Sequence, residues 1–212
     1  MREIYHEQLR ILGEELMQMG ALCEEGISAA MKALFNSNEE MAQRAMEIER
    51  EIDRKERDIE AQSMKLLLCQ QPVAGELRTV SSALRLISDM ERIGDQASDI
   101  AEITVHVTQR DPEVMELLHQ MAGHTVRMVT ESVDSFVRRD LNLAREVQAY
   151  DDVVDQDFVK VKECLIQNVH SSNEAFADLL MIAKYLERIG DHATNVAEWV
   201  EYSLTGPHPK GD

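Results

Sequence analysis

Apolar positions along this chain recur at steps of three and four, and the steps persist over long stretches. From Tyr5 the pattern runs through Leu9, Leu12, Leu16, Met19, Cys23, Ile27, Ala30 and Leu34. That spacing lays one apolar stripe along an amphipathic helix. Asn36-Ser37-Asn38 ends it, and Ser37 with Glu40 reads as a capping box for a second helix. The second stripe is Met41, Ala45, Ile48, Ile52, Ile59 and Leu66, broken at Gln71-Pro72-Val73-Ala74-Gly75. A third carries Leu77, Val80, Leu84, Leu86, Met90, Ile93, Ala97 and Ile100. Asp111-Pro112 opens a fourth, with Leu118, Ala122, Val126, Val129, Val133 and Phe136. Asp140 caps a fifth, with Leu143, Val147, Tyr150, Val154, Phe158, Val161 and Leu165. Ser171 with Glu174 reads as another capping box, leading into Leu179, Ile182, Leu186, Ile189, Ala193 and Val196. Each helix should run about 30 residues, or ~45 Å. Short connections make neighbouring helices antiparallel. The expected fold is all-α: two tandem three-helix bundles, residues 1–108 and 112–204, packed side by side or end to end, with a frayed tail at 205–212.

An internal repeat supports the division into halves. Glu91-Arg92-Ile93-Gly94-Asp95 returns as Glu187-Arg188-Ile189-Gly190-Asp191, 96 positions later. Ala97, Ala101 and Glu102 answer Ala193, Ala197 and Glu198. A repeat at this spacing sets the architecture before any local reading does. It also repeats something unfavourable. Each copy puts a Glu and an Asp four apart on one helix face, where like charges repel by about 0.2–0.5 kcal/mol. The glycine between them costs about 1 kcal/mol in helix propensity. A local rule broken twice in the same way marks a site.

Composition narrows the functional classes. Lys and Arg number 22 against 40 Asp and Glu, a net charge of −18. That excludes a basic nucleic-acid footprint and docking on anionic lipid, and it suits cations or a basic protein partner. Hydrophobic residues make up 44% of the 212, enough for a substantial core, and four prolines and nine glycines leave long helices uninterrupted. Cys23, Cys69 and Cys164 are dispersed, with no CxxC, as expected of small core residues in a reducing cytosol. The first residues are charged and no apolar run reaches a membrane span, so the expectation is a soluble, cytoplasmic protein.

A second acidic pair lies in the middle helix of each half: Glu49 with Asp53, and Asp151 with Asp155, 102 positions apart. These pairs and the Glu91/Asp95 and Glu187/Asp191 pairs all border apolar stripes. If the pairs of adjacent helices meet, four carboxylates converge in each bundle, and such a group requires a cation. Carboxylates suit magnesium, calcium, manganese or iron, and accept zinc. Facing helices of a bundle hold metals in this way. The glycine would let a neighbouring helix approach closely. A single pair would be more simply a solvated face, with Arg92 and Arg188 bridging Asp95 and Asp191. Four pairs in matching positions favour a site. Histidines add little: His192 aligns with Gln96, and Glu116-x-x-His119 and Glu3-x-x-His6 resemble the ExxH of di-iron bundles without occupying equivalent positions. His124 reads as a bundle residue, and Asp99, aligned with Asn195, as an accessory acid. Phosphate-cradling loops, nucleophile elbows and HExxH are absent from the sequence.

The doubled ERIGD, the four acidic pairs and Gln71-Pro72-Val73-Ala74-Gly75-Glu76-Leu77-Arg78 closely resemble the PhoU family, from about Tyr5 to Tyr202. The resemblance implies two three-helix bundles with internal pseudo-symmetry and a cytoplasmic, usually dimeric regulator of phosphate homeostasis. It implies multinuclear iron or zinc clusters on Glu49, Asp53, Glu91, Asp95, Asp151, Asp155, Glu187 and Asp191, with manganese or magnesium as further options. It implies a brake on the phosphate-starvation response, acting between the ATPase subunit of the phosphate ABC transporter and the phosphate-sensing histidine kinase. On this reading the protein is a non-enzymatic adaptor. The alternatives are a carboxylate-bridged di-iron or di-manganese bundle enzyme and a metal store.

Overall fold

The computed structural model describes residues 2–70, 73–167 and 173–206, with side chains described except those of 2–4, 69, 70, 74 and 173–175. Six helices account for it: α1 (Arg2–Asn36), α2 (Glu39–Gln70), α3 (Ala74–Thr104), α4 (Pro112–Arg138), α5 (Leu141–Gln167) and α6 (Asn173–Thr205). No described helix is long and apolar enough to cross a membrane. The Ser171/Glu174 box, the Cys69 side chain, Gln71-Pro72, the Glu3 side chain and the tail beyond Gly206 lie outside what is described.

The hairpin turns explain where the helices stop. Ser37 takes a left-handed φ of 51°, and the Asn38 N–H returns to the Ala33 carbonyl at 3.1 Å. This is a Schellman ending of α1. The cap of α2 is therefore Asn38, whose side chain accepts from the Met41 N–H at 3.2 Å. The capping box expected at Ser37 is one residue out of register, because Ser37 is used to reverse the chain. The second half repeats the device: Arg139 has φ 54°, and Asp140 N–H reaches the Ser135 carbonyl at 2.9 Å. Asp140 then caps α5 through Asn142 and Leu143, as expected. Asp111 likewise caps α4 through Glu113 and Val114.

α1, α2 and α3 pack on one another, as do α4, α5 and α6, and the two sets join through α1 on α4 and α3 on α6. The bundles thus lie side by side. On α3 and α6, Arg85 reaches the Trp199 ring and Asp89 reaches Asn195, so the two helices run antiparallel. The predicted stripes form the core, with Leu12, Leu16, Met19, Ile27, Ile48, Ile52, Met90, Ile93, Leu186 and Ile189 almost wholly buried. Leu77 departs from the pattern: in the first turn of α3, at the tip of the α2–α3 hairpin, it is 48% exposed. Each half also ties its first helix to its third just before the repeated motif. The Cys23 thiol donates to the Met90 carbonyl at 3.4 Å, and Thr125, its counterpart 102 positions later, donates to the Leu186 carbonyl at 3.5 Å.

The motif glycines mark close approaches. A Cβ on Gly94 would stand 2.8 Å from Ile52 Cδ1 and 3.3 Å from its Cγ2. A Cβ on Gly190 would stand 3.3 Å from Val154 Cγ1. Gly94→Leu should therefore lower stability by about 1–3 kcal/mol through overpacking. Gly123→Ala, whose methyl would meet nothing within 4 Å, should gain up to about 1 kcal/mol from helix propensity. Urea unfolding followed by circular dichroism separates the two signs. A stabilised Gly94→Leu would show that the glycine is not there for packing.

Candidate functional site

The close approach of α2 and α3 brings Glu49, Asp53, Glu91 and Asp95 into one half-buried group beside the core stripe. Burial, and then the charges of Asp53 and Asp95, raise the Glu49 carboxyl above its usual range. Burial, then Asp95, Glu56 and Asp53, raise Glu91, while Arg92 opposes. Burial and Asp53 raise Asp95, with Arg92 and His192 opposing. Glu56, one turn beyond Asp53, belongs to the same group: burial, Glu60 and Asp53 raise it. The acidic-pair pattern missed Glu56 because its counterpart 102 positions on is Phe158. At the solvent edge Arg57 pairs with Asp53 at 3.1 Å. Arg92 stands 3.9 Å from Glu91, so it is not the bridge to Asp95 that a solvated face would have.

The second half assembles Asp151, Asp155, Glu187 and Asp191 in the same way. Asp151 is half-buried and its carboxyl is pushed up to about 6, first by burial and then by Asp155, Asp191 and Asp152, while the Thr194 hydroxyl opposes. Asp155 and Asp191 lie on the exposed rim. Loss of solvent and Glu187 raise Asp191, and Lys184 opposes. The cradle is tight: the missing Cβ of Gly190 would lie 3.7 Å from Asp151 Oδ1. A cleft of about 550 Å³ opens beside it, lined by Asp151, Arg188, Asp191, His192, Thr194 and Asn195 among others.

A polar seam joins the groups across α3 and α6. Asp89 Oδ1 meets His192 Nδ1 at 2.9 Å and accepts from the Asn195 amide at 3.1 Å. The Tyr185 hydroxyl bonds Asp99. These contacts are one contact seen twice, since Asp89 and Asn195 shift by 96 onto Tyr185 and Asp99. His192 also lies close enough to Asp95 and Asp191 to offset both charges when protonated. The repeat pattern undervalued it for want of a second copy. The ExxH resemblance leads elsewhere: Glu116 accepts from Gln120 at 2.9 Å, and His119 sits edge-on to Phe35. His124 is held by buried Asp157 at 2.6 Å and serves the α4–α5 contact. Burial pushes the Cys23 thiol up to about 12, so it is an inert core residue.

Among the described residues, no set of three or more His, Cys, Asp or Glu side chains is arranged to hold a metal ion. The chemistry of the donors nonetheless fits one. Each group is an all-oxygen set on two rigid helices, its charges held unfavourably close, and hard cations take such ligands. In the second group a cation already stands there: the Lys184 ammonium is paired with Glu187.

Residues 16–104 and 118–200 both match the family model described as the PhoU domain. The chain belongs to the PhoU family. It is 34% identical to a phosphate-specific transport system accessory protein PhoU homolog of Synechocystis, over 97% of this chain and 93% of that one. The crystal structure of PhoU from Pseudomonas aeruginosa superposes with a TM-score of 0.89 at 30% identity, over 96% of this chain and all of that one. That of the phosphate transport system regulatory protein PhoU from Streptococcus pneumoniae gives 0.90 at 26% identity, over 98% and 100%. Both ERIGD copies lie inside the matched PhoU repeats.

The raised Asp151 carboxyl sets a pH dependence. Its folded-state value, about 6, lies above the ordinary 3.8, so the folded chain binds this proton more tightly than the unfolded one. The resulting stability is fully present below the lower value and is lost as pH rises through the upper. In the presence of chelator, Asp151→Asn should therefore be more stable than wild type by about 1–2 kcal/mol above about pH 6, with the gap closing towards about pH 4. Thermal melts at the two ends of that window test it, and a gap independent of pH would remove Asp151 as the cause.

Proposed function

We propose that this PhoU-family chain is a cytoplasmic, non-enzymatic regulator of phosphate uptake. It acts as a metal-binding adaptor that restrains the phosphate-starvation response through the phosphate ABC transporter's ATPase and the phosphate-sensing histidine kinase, as a homodimer. The observation that carries the reading is the pairing of acidic faces in both halves of a chain that aligns almost end to end with phosphate-specific transport accessory proteins.

Glu49, Asp53, Glu91 and Asp95 would hold one cluster, with Glu56 beside them, and Asp151, Asp155, Glu187 and Asp191 the other. The bound cations would be iron or zinc, with manganese or magnesium also suited to the donors, and would supply positive charge that neutralises the carboxylates. The chain's own part is to fix the spacing of the helices. Gly94 and Gly190 set how near α3 and α6 come to their neighbours, and the carboxylates on those helices set the local charge. A partner touching the α2–α3 or α5–α6 face would meet a surface whose charge depends on cation loading.

Deleting the gene should leave high-affinity phosphate uptake and the starvation regulon active in phosphate-rich medium, and restoring the wild-type gene should silence them. A reporter that still switches off normally in the deletion strain, with no second copy present, would refute the regulatory role. Protein reloaded with metal should carry transition metal measurable by elemental analysis, and Glu91→Ala with Asp95→Ala should remove roughly half, because the second group is separate. Retention of the full complement by that double variant would place the metal elsewhere.

A further inference from the structure

The two acidic groups are related by the repeat, but they are not chemically equal. In the first, Ser88 and Glu56 stand where the second has Lys184 and Phe158, by the shifts of 96 and 102 that relate the helices. Lys184 begins on the turn of α6 before Glu187, and its ammonium pairs with that carboxylate. It also lies 5.5 Å from the centroid of the Phe158 ring on α5. Glu187 is only 15% exposed at its side chain, so the carboxylate end of the pair is sheltered, while the lysine stem, 44% exposed, reaches in from the surface. The charge of Lys184 reaches Asp191 as well. The phenyl face and the Glu187 carboxylate thus hold a cation among the second group's donors, within electrostatic reach of Asp191.

The first group has a different balance. It gathers five carboxylates, Glu49, Asp53, Glu56, Glu91 and Asp95. Its nearest ion-pair partner, Arg57, is 66% exposed on the solvent side of Asp53, where water screens it. The Arg57 Nε donates to the Asp53 carbonyl at 3.0 Å, which holds it along the outer face of α2 and not among the carboxylates.

We propose that Lys184 is a built-in counter-ion of the second group, so that the two groups take up metal cations unequally: the first directly, the second only as Lys184 leaves Glu187. The inference rests on the metal-binding reading above and gives it an order. The first group loads at low free metal and the second at higher, which would make the second the group that responds to changing supply. Glu56 is then an added donor that strengthens the first group, where Phe158 in the second serves the lysine instead.

The test is a titration of metal-free full-length protein with Mn²⁺ by isothermal calorimetry. Wild type should bind in two separable phases. Lys184→Met keeps the aliphatic stem on Phe158 and removes the charge; it should tighten the second phase by roughly tenfold or more, the scale of one charge-assisted hydrogen bond, and leave the first unchanged. Glu56→Gln should weaken the first phase alone. A second readout needs no variant: residue-resolved reductive methylation should label Lys184 more strongly once Mn²⁺ fills the second phase, with exposed Lys32 as the control. Two indistinguishable phases, with Lys184→Met and Lys184 labelling without effect, would overturn the inference and leave metal binding standing. Absence of any Mn²⁺ binding would overturn both.

Discussion

A glycine opposite a β-branched residue, Gly94 against Ile52 and Gly190 against Val154, sets the separation of the two helices that carry the acids in each half. At the first contact even one added carbon would sit 2.8 Å from its neighbour. That closeness has two consequences at once. It lets Ile52 fill the core without a gap, and it forces carboxylates on adjacent helices to share a region partly closed to solvent. The raised carboxyls follow from the same geometry, since burial is the largest cause at Glu49, Glu91, Asp95, Asp151 and Asp191. Helix packing and the unfavourable charge are therefore one feature of the fold, and a change to either disturbs the other.

The fold was largely legible because the helices are long and the repeat leaves little freedom. Stripes at steps of three and four located all six helices, and the doubled ERIGD located the halves. The errors lie where a local rule and a tertiary one compete. Ser37 with Glu40 satisfies the capping-box pattern, but the chain needs Ser37 in a left-handed turn, and Asn38 takes the cap. Comparison with Arg139-Asp140, 102 positions on, would have shown the register. Leu77 continues the apolar stripe in sequence yet lies at a hairpin tip, where the stripe is not covered.

The acidic pairs were legible for the opposite reason: they break helix rules, and they do so in register. What the repeat could not reveal is what differs between its copies. Glu56, Lys184 and Phe158 have no like counterpart, so a search for matched positions passes over them. His192 was set aside on that ground and turns out to lie between Asp89, Asp95 and Asp191. Symmetry in the sequence locates the two groups, and departures from it distinguish them.

One of those departures, His192, lies on the α3–α6 seam, where the halves meet. The seam is polar where most of the interior is apolar. Asp89 binds His192 and Asn195, Asp99 binds Tyr185, and Gln96 is buried with its carbonyl oxygen unbonded. Groups in such a seam have few ways to rearrange without losing partners, so they fix the register of α3 on α6. One imidazole, that of His192, stands near enough to both Asp95 and Asp191 for its charge, when carried, to lower both carboxyls.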